Sequence, residues 1–501
     1  MEGHHFLAFD LGAESGRTIL GTLRDEKIAT RELTRFPNNP ARLSGHLHWN
    51  LLSLFEDIKS GLRACAAVAR VVPESVAVDT WGVDFGLLAK DGSVLGFPYA
   101  YRDDRTRGLM EKFFKKTPRE KVYECTGIQF LPFNSLFQLY AMVRQHSPLL
   151  ECARDLLFMP DLFTYFLSGE KANEFTIAST SQLLDMGSRL WSTELMTALG
   201  VPMGILQRVA PPGTVMGKLV PSVAEEVDLP EVRVIATASH DTAAAIAAIP
   251  AAGENWAYIS SGTWSLMGVE AAEPIITPEA LEANFTNEGG VGETIRFLKN
   301  IAGLWLLQQS RREWARESDL SYADLAALAA GAKAFRSLVD PDWPEFLNPP
   351  SMPDAIRQYC LVSGQPAPAE PADFTRCILE SLALKYRFTL NQLRRLTSRR
   401  IEMIHVIGGG SRNELLCQFT ADATGLPVVA GPAEATAMGN IMVQALGLGY
   451  VRSLSEIRSV VRRSVELKMY TPRERQDWEG AFARFSDLID ADIPAAKTAQ
   501  P

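Results

Sequence analysis

FLAFDLGAESGRTILGTL, residues 6–23, sets two apolar runs on either side of a turn that carries Asp10, Ser15 and Arg17 around Gly12 and Gly16. FLAFDLG and RTILGTL have the composition of strands, so the joining residues are expected to close a tight β-hairpin. Glycine lets the backbone approach a guest closely, and successive N–H groups in such a turn form an electropositive nest suited to phosphate.

The design recurs once. AYISSGTWSLMGVE, residues 257–270, is again strand, small-residue turn and strand, and two similar hairpins half a chain apart imply two halves built on one plan. VAVDTWGVDFGLLAKDGSVLG (76–96) is expected to give strand, turn and strand. IEMIHVIGGGSRNELLCQFTADATGLPVVAG (401–431) is expected to give strand, glycine turn, helix and strand, and this alternation predicts an α/β protein. DFTRCILESLALKYRFTLNQLRRLT (373–397) spaces its apolar residues for one long helix along a core or between the halves, and DADIPAAKTAQP at the end has the composition of a frayed tail.

Composition narrows the function classes. At 501 residues the chain exceeds what one core supports, so two or three domains are expected. Apolar residues at 47% and charged residues at 22% exclude a disordered or coiled-coil chain, and the net charge of -9 offers no basic footprint for nucleic acid or an anionic membrane. Six cysteines stand without a CxxC pair, which suggests neither a zinc site nor a disulfide framework. No apolar run reaches the length of a membrane span and no signal pattern opens the sequence, so a cytoplasmic location is expected.

Two further stretches carry chemistry. HVIGGGSRNELLCQF (405–419) puts Gly408, Gly409 and Gly410 between a strand and a helix, where helix amides and dipole favour phosphate or a nucleotide ring lies on bare backbone; a tight connection explains the glycines equally well. Neither GxGxxG nor GxxxxGK[ST] occurs. In ATASHDTAAAIAAIP (236–250), a strand is expected to end at His240-Asp241-Thr242 and an alanine-rich helix to begin. Asp241 there is either an N-cap or a carboxylate placed to take a proton from a substrate hydroxyl, with His240 and Thr242 beside it to hold that substrate. Asp10 suits a magnesium ion bound through water, since Mg2+ keeps most of its hydration and takes one or two carboxylates with phosphate oxygens.

Together these residues resemble the FGGY family of carbohydrate kinases, in the superfamily of actin, hexokinase and the heat-shock chaperone ATPases. DLGAESGRTIL is similar to the family's first phosphate motif, SHDTAAA to its catalytic aspartate motif, SSGTWSLMGVE to its second phosphate motif, and VIGGGSRNELLCQFTADATGLPV to its adenosine motif. YAYRDDRT resembles the W-x-D-x-R-T element, with Tyr101 where Trp is usual. DTWGVDFGLL (79–88), TGIQFLPFNSLFQL (126–139) and FLKNIAGLWLLQQSRREW (297–314) are most like members acting on L-rhamnulose.

The resemblance implies two similar actin-like (ribonuclease H-like) α/β domains flanking an active-site cleft, over residues 1–243 and 244–488, with 489–501 as a tail. It implies phosphorylation of O1 of L-rhamnulose by ATP with Mg2+. Asp241 is then the proton acceptor, with Gly82, His240, Thr242 and Asn300 at the sugar. Ala13, Glu14, Ser15, Gly16, Arg17, Thr263, Gln308 and Gly409 lie at ATP. Glu14 would repel phosphate, so its side chain is expected to point outward, leaving its N–H in use. Trp81 and Phe85 are candidates for sugar contact or for core. A kinase of another ketose such as L-fuculose, and an actin-like non-metabolic ATPase, are the competing functions.

Overall fold

A computed structural model describes residues 3–229, 231–316, 319–473 and 476–491. Its principal elements in the first half are β1 (His4–Leu11), β2 (Ser15–Arg24), β3 (Lys27–Pro37), α1 (Leu51–Ala64), β4 (Ser75–Thr80), β5 (Thr214–Lys218), β6 (Arg233–Ala236) and α2 (Asp241–Ala247). The second half gives β7 (Trp256–Ser261), β8 (Trp264–Ala271), β9 (Thr286–Gly289), β10 (Ile295–Ala302), α3 (Trp305–Trp314) and α4 (Pro371–Thr397). It closes with β11 (Met403–Ile407), α5 (Glu414–Thr424), β12 (Val428–Ala430), α6 (Ala435–Gly447), α7 (Leu454–Ser464), β13 (Lys468–Tyr470) and α8 (Gln476–Asp490).

Two compact units result, each assembled from three stretches of chain. The first takes residues 1–252, 270–297 and 435–465; the second takes 253–269, 298–434 and 466–501. In the first, the strand order is β3-β2-β1-β4-β6-β5. β2 pairs antiparallel to both β3 and β1, β4 joins β1 in parallel, β6 joins β4 in parallel, and β5 closes the edge antiparallel. In the second, the order β10-β8-β7-β11-β12-β13 repeats this sequence of orientations from its second strand on: antiparallel β8/β7, parallel β7/β11 and β11/β12, antiparallel β12/β13. The recurrence of the hairpin design is thus a recurrence of topology, the two-domain actin-like (ribonuclease H-like) α/β fold.

Local chemistry explains the elements that matter for a site. Phe6, Leu7, Ala8, Phe9 and Leu11 are fully buried, as a central strand covered on both faces requires. The alanines of α2 answer to a close neighbour, α6: a Cβ at Gly439 would lie 1.8 Å from the carbonyl oxygen of Ala244. Only glycine on one helix and small residues on the other allow that approach. The 373–397 pattern is indeed one helix, 27 residues long in α4, started by Pro371 and by reciprocal capping of Glu370 and Asp373.

The strand, turn and strand expected in 76–96 form, and the second strand, Phe85–Leu88, pairs antiparallel with Asp155–Phe158 in a separate sheet. Two expectations change. The strand before His240 ends at Ala236, and only an isolated parallel bridge, Thr80 to His240, continues the pairing. At the far end α8 runs to Asp490, so Ile489 and Asp490 are helix where a tail was expected from 489; residues 492–501 lie outside the described residues.

Candidate active site

The first phosphate-type turn is clamped from behind. Gly12 N–H donates to Ser15 O at 3.0 Å, and the buried Asn38 donates through Nδ2 to Gly12 O at 2.8 Å and through its backbone N–H to Glu14 O at 3.0 Å. Ala13, Glu14 and Ser15 are half-buried at the tip. Gly16 has a structural reason to be glycine, because a Cβ there would meet the Phe36 ring at 2.1 Å. Register places Arg17 opposite Asp10, and its Nη2 donates to Asp10 Oδ2.

Asp10 in turn stands beside Asp79 in the parallel register of β1 and β4. Burial, then the charge of Asp10, pushes the Asp79 carboxyl well above the usual carboxylate range, and Asn440 Nδ2 donates to its Oδ2 at 2.6 Å. Asp79 Oδ1 is buried and makes no hydrogen bond. Asp241 belongs to the same group: surrounding protein raises its carboxyl most, His240 opposes that, and Asp10 adds to it. Exposure separates these acids. Asp241 keeps 30% of its side chain accessible, whereas Asp10 keeps 8% and Asp79 none.

Asp241 is the first residue of α2, and His240 holds the N-cap position at φ -82°, ψ 120° without a side-chain cap. The N-cap alternative for Asp241 therefore does not hold; its Oδ1 accepts from Thr242 Oγ1 at 3.0 Å instead. The segment is fixed by residues that sequence reading missed. Glu174, fully buried, accepts from Ser239 N–H at 3.2 Å, Ile177 N–H at 3.1 Å and Thr176 Oγ1 at 2.6 Å, and Thr176 Oγ1 also accepts from His240 N–H at 3.1 Å. Burial pushes the Glu174 carboxyl up to about 7. On the ring side of His240, Arg296 Nη2 lies 3.1 Å from Nδ1 and 3.1 Å from Glu288 Oε2.

Gly82 sits half-buried against Thr180, whose Oγ1 accepts from Val83 N–H at 3.1 Å. Trp81 and Phe85 are core residues: both are buried, and Trp81 Nε1 donates to Asp84 Oδ2 at 2.9 Å. Asp84, another residue the sequence did not single out, is fully buried and also accepts from Trp49, Tyr101 N–H and Gln138. Burial pushes its carboxyl up to about 6.

The remaining candidates belong to the second unit. Thr263 lies at the tip of the β7–β8 hairpin, where its carbonyl accepts from Gly303 N–H and Trp305 N–H, both at 3.1 Å. Asn300 is half-buried on β10 and Gln308 half-buried on α3. The glycine triplet divides by role. Gly408 has φ +77°, a Cβ on Gly410 would meet Ser261 Oγ at 2.0 Å, and Gly409 alone of the three has nothing within 4 Å. Packing explains two of these glycines and leaves Gly409 open to solvent.

Among the described residues no three His, Cys, Asp or Glu side chains group tightly enough to hold a bare metal ion, and no helix is long and apolar enough to cross a membrane. The crowding of Asp10, Asp79 and Asp241, in which the charge of Asp10 raises the proton affinity of the other two, fits a hydrated divalent cation, which needs few direct ligands.

Family models cover most of the chain: the N-terminal domain of the FGGY family of carbohydrate kinases matches residues 5–248, and its C-terminal domain matches 257–448. The chain is 48% identical over 485 residues to a rhamnulokinase of Bacteroides thetaiotaomicron, covering 97% of this chain and 99% of that protein. It is 41% identical over 473 residues to a rhamnulokinase of Halalkalibacterium halodurans, covering 94% and 100%. Among solved structures, a gluconate kinase from Lactobacillus acidophilus superposes with TM-score 0.81 at 15% identity over 99% of both chains. Glycerol kinase of Plasmodium falciparum with ADP superposes with TM-score 0.78 at 13% identity, again over 99% of both, and both likenesses are of fold.

Proposed function

The chain belongs to the FGGY family of carbohydrate kinases, and from that premise we propose that it transfers the γ-phosphoryl group of ATP to O1 of L-rhamnulose. Rhamnulokinases at 40–48% identity supply the sugar. The observation that carries the chemistry is Asp241, the one acid of its group with a substantially accessible carboxylate.

Asp241 takes the proton of O1 as the O1–P bond forms and the bond from the γ-phosphorus to the bridging oxygen of ADP breaks. Phosphoryl transfer needs little covalent help, so the other assigned residues position and neutralise. Gly82, His240, Thr242 and Asn300 hold the ketose. Ala13 to Arg17, Thr263, Gln308 and Gly409 hold ATP, with backbone amides of the clamped turn facing phosphate. Residues 1–243 supply the first phosphate turn and all of the sugar site but Asn300, and 244–488 the second phosphate turn and adenosine site. Asp10 would hold magnesium through water, and the metal, bound with the nucleotide, would neutralise phosphate charge. Six unpaired cysteines support a cytoplasmic location.

ADP release measured across L-rhamnulose, L-fuculose, D-xylulose, glycerol and a no-sugar control tests the reading. L-Rhamnulose should give the highest kcat/KM, with the no-sugar rate lowest. A preference for glycerol or D-xylulose overturns the assignment, a preference for L-fuculose moves it to the neighbouring ketose, and sugar-independent hydrolysis at full rate marks a non-metabolic ATPase. A site built to pair substrate hydroxyls discriminates strongly, because a mismatched one leaves buried polar groups unpaired.

A further inference from the structure

Arg296 is a fully buried guanidinium far in sequence from Asp241, and nothing in the transfer chemistry above uses it. Its Nε donates to Gly289 O at 2.7 Å, which fixes the plane of the group, and its Nη2 lies 3.1 Å from His240 Nδ1. Arginine has no acceptor, so this contact is a hydrogen bond only with His240 Nδ1 as the bare nitrogen, which puts the ring proton on Nε2. Nε2 lies 3.5 Å from Asp241 Oδ1.

Glu288 makes this assignment consequential. Its Oε2 is 3.4 Å from the same Nδ1 and 3.1 Å from Arg296 Nη2. Acting alone, that carboxylate would draw the ring proton to Nδ1 and turn the Nε2 lone pair toward Asp241. Arg296 Nη2 lies 3.1 Å from both Nδ1 and Oε2, closer to Nδ1 than the carboxylate oxygen is, so its positive charge offsets that pull and favours the opposite tautomer. His240 backbone N–H is anchored on Thr176 Oγ1 at 3.1 Å, which holds the main chain, and the guanidinium contact at Nδ1 holds the ring.

We propose that Arg296 is a positioning residue: seated against both Glu288 and His240, it holds His240 as the Nε2–H tautomer, so that a donor faces Asp241 and the ketose hydroxyl bound there. The proposal rests on the reading of His240 and Asp241 as the sugar site, and its first measurement does not.

In ligand-free protein carrying 15N-histidine, long-range proton–nitrogen correlations, with the His240 signals identified by their loss in His240→Asn, should show Nδ1 unprotonated. In Arg296→Met the proton should move to Nδ1. In steady state, Arg296→Met and His240→Asn should each raise the ketose KM roughly ten-fold or more while the ATP KM stays near wild type, and the double variant should be no worse than His240→Asn alone. Arg296→Lys, which keeps a buried donor, should recover part of the loss. A wild-type ring protonated on Nδ1, additive effects in the double variant, or an ATP KM that rises in step overturns the proposal. If Arg296→Met fails to fold, the wild-type tautomer and the Lys variant still decide it. Absence of turnover with every ketose overturns the proposed function instead, and leaves the tautomer measurement to decide whether Arg296 sets the ring.

Discussion

Asp241 is free to be substituted without touching the helix it begins, because the N-cap position belongs to His240. Asp241→Asn keeps an acceptor for Thr242 Oγ1 and loses the basic oxygen pair. It should fold, bind ATP and ketose, and turn over roughly 10² to 10⁴ times more slowly, the usual contribution of a general base. Near-normal kcat in this variant would remove Asp241 from the mechanism. Glu174 makes a prediction of opposite kind, in stability. Its folded-state carboxyl titrates at about 7, above its ordinary value of 4.5, so the folded protein binds this proton more tightly than the unfolded chain does. The stabilisation is complete below the ordinary value and is lost as pH rises through the folded one, with a slope of at most about 1.4 kcal/mol per pH unit. Glu174→Gln, which cannot ionise, should melt near wild type at pH 5 and above it at pH 8; melting curves that stay parallel across that range would refute the neutral-carboxyl account. The sequence showed Asp241 because local context, a strand end before an alanine run, marks it. Glu174, Glu288 and Arg296 lie 48 or more residues from His240, and each could be paired with it only after folding.

Elements were legible where their pattern was self-contained. Both hairpins, the strand–glycine–helix–strand run at 401–431 and the long helix α4 follow from spacing and turn chemistry alone. Phe85–Leu88 was legible as a strand, but a short apolar strand carries no sign of its partner, here Asp155–Phe158 in a separate sheet. Glycines illustrate the same limit, since a sequence cannot say whether a missing side chain makes room for protein or for a ligand. The structure divides them. Gly410→Ala and Gly16→Ala should each destabilise by about 1–3 kcal/mol through overpacking, against Ser261 and the Phe36 ring respectively. Gly409→Ala should melt as wild type, having nothing within 4 Å, and raise the ATP KM roughly ten-fold, a loss of about 1.4 kcal/mol. Equal ATP KM in Gly409→Ala and wild type would take the triplet away from the nucleotide and leave it a tight connection.

Across the whole molecule, the order of the chain and the composition of the units part company, and no periodicity announces it. The first unit recovers residues 435–465 after the chain has built most of the second. Within that returning stretch, α6 docks on the central strands: Gln444 Nε2 donates to Leu7 O at 3.1 Å, Ser75 Oγ donates to Gln444 Oε1 at 2.7 Å, and Asn440 Nδ2 donates to Asp79 Oδ2 at 2.6 Å. Gly439 closes on Ala244 in the helix that begins with Asp241. A fragment of residues 1–252 holds all six strands of the first sheet and most of the acids of the site, yet it would strip Asp79 of Asn440 and bare the alanine face of α2. A buried carboxyl group that loses its donor costs about 1–3 kcal/mol, and the uncovered apolar surface adds to that, against a typical domain stability of only about 5–15 kcal/mol. The fragment alone should therefore lack a cooperative melt and near-ultraviolet dichroism, and co-expression with residues 435–465 should restore both. A cooperative transition in 1–252 by itself would show that the returning helix only rests on the unit, whereas rescue by the separate segment identifies α6 as part of the core on which the placement of Asp10, Asp79 and Asp241 depends.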